Sequence, residues 1–242
     1  MARPPLALVL NAGSSSLKFS VRPVGAGAEV ASGLVERIGE PGGRLALMGE
    51  AGFDSEPLPE VDHAQALAAI LRRLERLGLL GRVAVVGHRI AHGGERFSAS
   101  TLATPETVAA CEALRELAPL HNPPQLHGLR ACMAQMPGVA HVMVFDTAFH
   151  QTMPKAAFAY ATPQRWYRDY GFRRYGFHGT SHRYVAGRAV QALGLDPQDH
   201  GLVVAHLGNG ASATAVRNGE SVDTTMGMTP LEGLVMGTRS GD

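Results

Sequence analysis

Residues 203–216, Val-Val-Ala-His-Leu-Gly-Asn-Gly-Ala-Ser-Ala-Thr-Ala-Val, limit the possible folds of this chain more than any other stretch. The apolar run ending at Leu207 predicts a buried strand, and Gly208-Asn209-Gly210 predicts a tight turn. Ser212, Thr214 and Val216 then fall on one face of a returning strand. Two glycines at the tip carry no Cβ atoms that would hold a phosphate away. Their backbone N–H groups are expected to form an anion-binding concavity, with Asn209 and Ser212 adding side-chain donors.

Gly208, Gly210 and Ala213 also fit the dinucleotide fingerprint G-x-G-x-x-A, which requires a helix to begin at the turn. The residues that follow alternate as β-formers up to a second turn at Asn218-Gly219, so a nicotinamide or flavin site is disfavoured. An ordinary hairpin without ligand is the remaining alternative for the stretch alone. The design recurs, however, near the N-terminus. In Leu10-Asn11-Ala12-Gly13-Ser14-Ser15-Ser16-Leu17, Leu10 matches Leu207, Gly13 matches Gly210 and Ser15 matches Ser212. Two phosphate-type hairpins in two halves suggest an internally duplicated fold with nucleotide between the halves.

A chain of 242 residues that is 45 % hydrophobic can bury a substantial core in one large domain or two small ones. Lysine and arginine total 22 against 21 acidic residues, so no net field draws it to nucleic acid or membrane. Recognition must come from specific sites. Cys111 and Cys132 lack C-x-x-C spacing and read as reduced, buried thiols of a cytoplasmic protein. No signal peptide and no bilayer-spanning apolar run is expected.

In chain order, Leu6 to Leu10 and Leu17 to Val21 are predicted strands, with Lys18 just past the turn as either a solvated strand residue or, beside three serines and Asn11, a phosphate contact. Leu34 to Ile38 and Arg44 to Met48 extend the sheet as antiparallel strands. Asp62 caps a helix with Gln65 as its capping-box partner, and Leu67, Ile70, Leu71, Leu74 and Leu77 form its buried face. A strand from Arg82 to His88 runs into Arg89, which places a guanidinium where ligands collect beyond strand ends. A helix starts at Thr104-Pro105 and passes through Cys111, Leu114 and Leu117. Leu120 to Pro124 reads as a rigid turn and Gln125 to Met136 as a helix. The strand from His141 to Phe145 delivers Asp146, which could steer Mg²⁺, accept a proton or act as a turn cap. His178 precedes a helix capped by Thr180 or Ser181 and running to about Leu193, so it stands beside an anion-favouring helix start.

With these motifs in view, the chain resembles the acetate and propionate kinase family from Leu6 to Asp242. The resemblance is carried by Asn11 to Lys18, His88 to Glu95, Pro119 to Pro123, Phe145 to Pro154, Tyr175 to His182, His206 to Ser212 and Met228 to Gly241. It implies an α/β fold of the actin-like, sugar-kinase-like (ASKHA) duplicated kind with ribonuclease H-like halves. It implies ATP-dependent, reversible phosphorylation of acetate, giving acetyl phosphate and ADP, with Mg²⁺ entering alongside ATP. Arg89 and Arg239 match the arginines that hold the carboxylate and the transferring phosphoryl group. His178 matches the histidine on that group, His121 the second active-site histidine, and Asp146 the carboxylate that serves catalysis and magnesium. Asn11, Ser14, Ser16, Lys18, His206, Gly208, Asn209 and Gly210 match the phosphate-loop positions, with Asn11 and Asp146 nearest the metal. Ala91, Leu120, Phe177 and Pro230 match the apolar wall of the substrate pocket. Ala91 stands where such enzymes commonly carry Val, so propionate is expected as a further substrate.

The resemblance further implies a homodimer in the complete form, in the cytoplasm, with no nucleic-acid or membrane partner. Family members are longer, and this sequence stops inside a family motif at Asp242. The expected organisation is an N-terminal domain over 1–148 with the first hairpin, and a partial nucleotide-binding domain over 149–242 with the second. The adenosine-binding loop and a metal-associated glutamate are expected beyond Asp242. Two function classes follow: an acyl-carboxylate kinase, or a catalytically inactive remnant that binds phosphate or a partner.

Overall fold

The computed structural model describes residues 3–242 apart from Ala26 and Ala51. The chain divides into two compact units. One comprises Met1–Ile90, Thr101–Arg115 and Pro119–Val144; the other comprises Ala91–Ser100, Glu116–Ala118 and Phe145–Asp242.

The first unit is built on period-two alternation. Strands β1 (Leu6–Ala12), β2 (Ser16–Pro23), β3 (Ala31–Glu36), β4 (Gly43–Gly49) and β5 (Gly52–Leu58) form an antiparallel meander. Helix α1 (His63–Arg76) then returns the chain to β6 (Val83–Ile90), which lies parallel to β1. A parallel neighbour requires such a crossover. β7 (Thr101–Leu102), α2 (Pro105–Glu112), α3 (Asn122–Gln135) and β8 (Ala140–Phe145) complete the order. Across the eight-stranded sheet the sequence is β5-β4-β3-β2-β1-β6-β8-β7. The inward positions Leu6, Leu8, Leu10, Leu17, Phe19, Val21, Val35 and Leu45 pack with Leu67, Ile70, Leu71 and Leu74 of α1. Each such side chain stabilises the fold by about 2 kcal/mol on burial.

The predicted capping box is present. Asp62 Oδ1 accepts the Gln65 N–H at 2.8 Å and Gln65 Oε1 accepts the Asp62 N–H at 2.9 Å. Leu77 departs from expectation: it is the C-cap and is 40 % exposed. Gly78, at φ 67°, turns the chain away there. β5 was not anticipated, because Gly-Phe-Asp-Ser-Glu-Pro-Leu is polar and holds Pro57, which only an edge strand tolerates. The predicted turn at Leu120–Pro124 is in part the start of α3. Pro123 and Pro124 occupy its first turn, where a missing N–H costs nothing. α2 stops at Glu112, and Arg115–Leu117 form a separate 3₁₀ turn.

In the second unit a 3₁₀ turn (Ala148–Thr152) precedes α4 (Lys155–Phe158), α5 (Gln164–Tyr170) and α6 (Gly179–Leu193). Strands β9 (Gly201–Leu207), β10 (Ala211–Arg217) and β11 (Glu220–Thr224) form a sheet in the order β11-β10-β9. The second turn falls where expected, with Asn218 at φ 51° and Gly219 at φ 83°. Such dihedrals are available to Asn-Gly at little cost. Ser212, Thr214 and Val216 are buried together, as predicted. β9, by contrast, was expected to be buried, and only Val204 is. It is an edge strand, so Val203 is 79 % and Leu207 76 % exposed. Residues 91–100 are tied into this unit by Glu95, whose Oε1 lies 2.6 Å from Nη1 of the buried Arg173. That guanidinium also stacks 3.6 Å above the Phe158 ring.

The two hairpins share strand order but not register. In the first, Ala12 pairs with Leu17 around a four-residue loop, Gly13 to Ser16; in the second, Leu207 pairs with Ala211 around Gly208 to Gly210. Leu10 pairs with Phe19 and is therefore not the counterpart of Leu207, which corrects the matching made on sequence.

Candidate functional site

In the first unit, β1 and β6 run parallel with Leu10 opposite His88, which sets Asn11 and Arg89 side by side at the strand ends. Arg89 Nη1 donates to Asn11 Oδ1 at 3.3 Å. The adjoining loop is braced on its backbone. The Gly13 N–H donates to the Ser16 carbonyl at 2.8 Å, the Ser15 carbonyl accepts from the Ile38 N–H at 2.9 Å, and His63 Nε2 lies 2.7 Å from the Gly13 carbonyl. Ser14 and Lys18 are exposed and Ser16 half-buried. His121, the N-cap of α3, and Leu120, 80 % exposed, belong to this unit as well.

The second unit gathers more of the predicted residues. Asp146 follows β8 and is buried, and its carbonyl accepts the Gly179 N–H at 2.9 Å. A side chain at 179 would overlap that carbonyl, so glycine is what lets α6 begin against Asp146. The cap of α6 is His178 itself, at φ 57°, and not Thr180 or Ser181. A left-handed backbone is uncommon outside glycine, although histidine is among the residues that tolerate it. His178 Nδ1 lies 2.9 Å from Ser212 Oγ, and its ring stacks on His206 with centroids 4.1 Å apart. His206 Nδ1 is 2.9 Å from Ser181 Oγ.

At the tip of the second hairpin, a Cβ added to Gly210 would sit 3.3 Å from Arg239 Nη2 and 3.4 Å from His178 Nε2. A guanidinium and an imidazole nitrogen therefore converge on a backbone that carries no side chain. The expectation that both tip glycines of this hairpin offer free N–H groups is corrected for Gly208, whose N–H closes its own turn onto the Gly210 carbonyl. Ser212 is also corrected. It is fully buried beneath the turn, with its hydroxyl bonded to histidines and not presented as an anion donor. Of the pocket-wall residues, Ala91 and Phe177 are buried and Pro230 half-buried in this unit, and Phe177 packs with Ala211, Met226 and Met236.

Sequence reasoning missed two residues of this cluster. His182 Nε2 lies 2.8 Å from Ser212 Oγ, and His150 bridges Ser221 Oγ and the Phe177 carbonyl, each at 2.9 Å. The i, i+4 spacing of His178 and His182 at a helix start was the available pointer. Burial pushes His182 down to about 3, helped by His150, His178 and His206; burial likewise takes His150 to about 4. Both rings are neutral at ordinary pH. Cys111 and Cys132 are buried free thiols, each pushed up to about 12, chiefly by burial. Among the described residues no helix is long and apolar enough to cross a membrane.

Comparison with known proteins gives a consistent result. The profile of the acetokinase family matches residues 6–242. An acetate kinase of Deinococcus radiodurans is 54 % identical over 235 residues, which is 97 % of this chain and 59 % of that protein. The crystal structure of a propionate kinase from Francisella tularensis superposes with a TM-score of 0.94 at 41 % identity, covering 98 % of this chain and 61 % of that one. Porphyromonas gingivalis acetate kinase gives 0.91 at 46 % identity, with the same two coverages. The chain thus spans about 60 % of the length of the relatives it matches.

Proposed function

Because the chain belongs to the acetokinase family, we propose that it serves reversible transfer of the γ-phosphoryl group of ATP to acetate or propionate, giving an acyl phosphate and ADP. Its α/β fold is the actin-like, sugar-kinase-like fold of those kinases over the part it spans. The observation that carries the activity is the convergence of Arg239 Nη2 and His178 Nε2 on the bare backbone at Gly210. A phosphoryl group in flight needs little covalent help and much charge neutralisation around its equatorial oxygens. A cation and an imidazole aimed at a glycine tip supply that.

In this reading Arg89 holds the acceptor carboxylate through two parallel hydrogen bonds and Asn11 steadies its guanidinium. The acceptor is ionised at neutral pH and needs no general base. Ser14, Ser16, Lys18, His206 and Asn209 contribute phosphate contacts, His121 serves as the second active-site histidine, and Ala91, Leu120, Phe177 and Pro230 select a short acyl chain. Mg²⁺ would enter with ATP and neutralise phosphate charge. Asp146 and Asn11 offer the hard oxygen donors it prefers, whereas the buried trio His88, Cys132 and His141 is a nitrogen and sulfur set unsuited to it. A cytoplasmic homodimer is part of the same proposal, supported by the buried free thiols and the family relation.

The exposure of Val203 and Leu207 favours a second reading, in which this chain alone binds phosphate without turnover. Coupled detection of ADP release with acetate, with propionate and without carboxylate separates the two. Carboxylate-dependent release supports the kinase reading. Its absence, with phosphate binding that is lost in Asn209→Ala, supports the second.

A further inference from the structure

Building on the phosphoryl-transfer reading, we propose that His182 and Ser212 hold His178 in the tautomer with its proton on Nε2, so that this nitrogen meets an anion as a hydrogen-bond donor. The two imidazoles share one hydroxyl, since Ser212 Oγ is 2.9 Å from His178 Nδ1 and 2.8 Å from His182 Nε2. A hydroxyl has a single proton to give. Its two lone pairs could accept from both rings, but the proton of the fully buried Ser212 would then lack an acceptor; one ring therefore accepts from Ser212 while the other donates to it, and the direction of the chain sets both tautomers.

His182 decides the direction. It is fully buried, and burial keeps it neutral, so it carries one N–H. Its Nδ1 is buried without a hydrogen-bond partner. A proton there would be an orphaned donor, which folded proteins tolerate less well than an idle acceptor. The proton belongs on Nε2 and is donated to Ser212 Oγ. The Ser212 proton then goes to His178 Nδ1, and the remaining proton of His178 sits on Nε2. That nitrogen is the one beside Gly210 and Arg239 Nη2. The left-handed backbone of His178 at φ 57° keeps the ring between hydroxyl and turn, a strain of the kind found at functional sites. His182 and Ser212 are positioning residues, because they act through His178.

Long-range ¹H–¹⁵N correlation on ¹⁵N-histidine-labelled protein near neutral pH reads each ring's tautomer without any turnover. The expected spectrum shows His178 protonated on Nε2 only. The pattern persists in His182→Gln, whose amide N–H can replace the donor to Ser212, and in Ser212→Thr, which keeps the hydroxyl. It becomes a mixture of both tautomers in Ser212→Ala, and inorganic phosphate then perturbs Nε2–H less than in the parent. A parent spectrum with the proton on Nδ1 overturns the proposal, and so does a folded Ser212→Ala protein with an unchanged His178. Should Ser212→Ala fail to fold, the parent and His182→Gln spectra decide alone. The predicted tautomer with no carboxylate-dependent ADP release would count against the kinase reading only.

Discussion

Arg89 and Asn11 meet at the carboxyl ends of two adjacent parallel strands, with Arg89 Nη1 3.3 Å from Asn11 Oδ1. The pairing of Leu10 with His88 brings this about, since Asn11 and Arg89 are the next residues on their strands. Open α/β sheets collect ligands at such strand ends. The contact orients the guanidinium.

Arg89→Ala should lower kcat/KM for acetate by about 10²- to 10³-fold in the form that turns over acetate. Asn11→Ala should cost less, and the double variant should fall short of the product of the two effects, since contacting residues couple by about 0.5 to 3 kcal/mol. A double-mutant cycle on kcat/KM measures this. Near-normal turnover by Arg89→Ala would remove it from the site.

Acid should unfold this protein through its buried histidines. Burial takes His88 and His182 to about 3 and His92 and His150 to about 4. In the unfolded chain these rings titrate at about 6.5, so between those limits the unfolded state binds more protons and stability rises with pH. The stability is complete above about pH 6.5 and drains away as pH falls toward 4 and then 3, at about 1.4 kcal/mol per pH unit for each such ring. Urea midpoints at about pH 7.5 and pH 5 check this; equal midpoints would contradict it.

Gly179→Ala should destabilise the second unit by about 1 to 3 kcal/mol, because its methyl group would overlap the Asp146 carbonyl and crowd Phe149. The Asp146 carboxylate would shift with the carbonyl. Thermal melting shows the first effect. Gly187→Ala, on the same helix with nothing within 4 Å of the added methyl, is the control and should melt at or above the parent temperature.

Ala91→Val should turn preference toward acetate. Ala91 is 4 % exposed, so the two added methyl groups displace the room for about one methylene, worth roughly 0.8 kcal/mol or a few-fold in the propionate-to-acetate ratio of kcat/KM. An unchanged ratio would show that Ala91 does not face the acyl chain.

Local chemistry was legible wherever it acts on neighbouring residues. The Asp62–Gln65 box, the Asn218-Gly219 turn and the alternation of Ser212, Thr214 and Val216 were read correctly, because each is decided within a few positions. Burial was harder. The run through β9 is apolar, yet Val203 and Leu207 face outward, since hydrophobicity does not say whether a strand is central or at an edge. β5 was invisible for the converse reason. In the site, Arg89, Asp146 and His178 stood out through their positions at strand and helix ends. Ser212 was read as facing the ligand because alternation gives a face but not what covers it; His178 and His182, distant in sequence from the turn, cover it.

The segment 91–100 has a consequence for how the molecule is assembled. It follows β6 in the chain yet belongs to the second unit, where Glu95 pairs with Arg173 and Gly94 accepts from Gln151. Those partners are 78 and 57 residues further along. During synthesis the segment emerges before either has been made, so it must wait, undocked, while the first meander forms from short-range contacts. Closing so long a loop comes late because its entropy must be spent before its contacts return anything. The segment can therefore dock only once Gln151 and Arg173 have both been made.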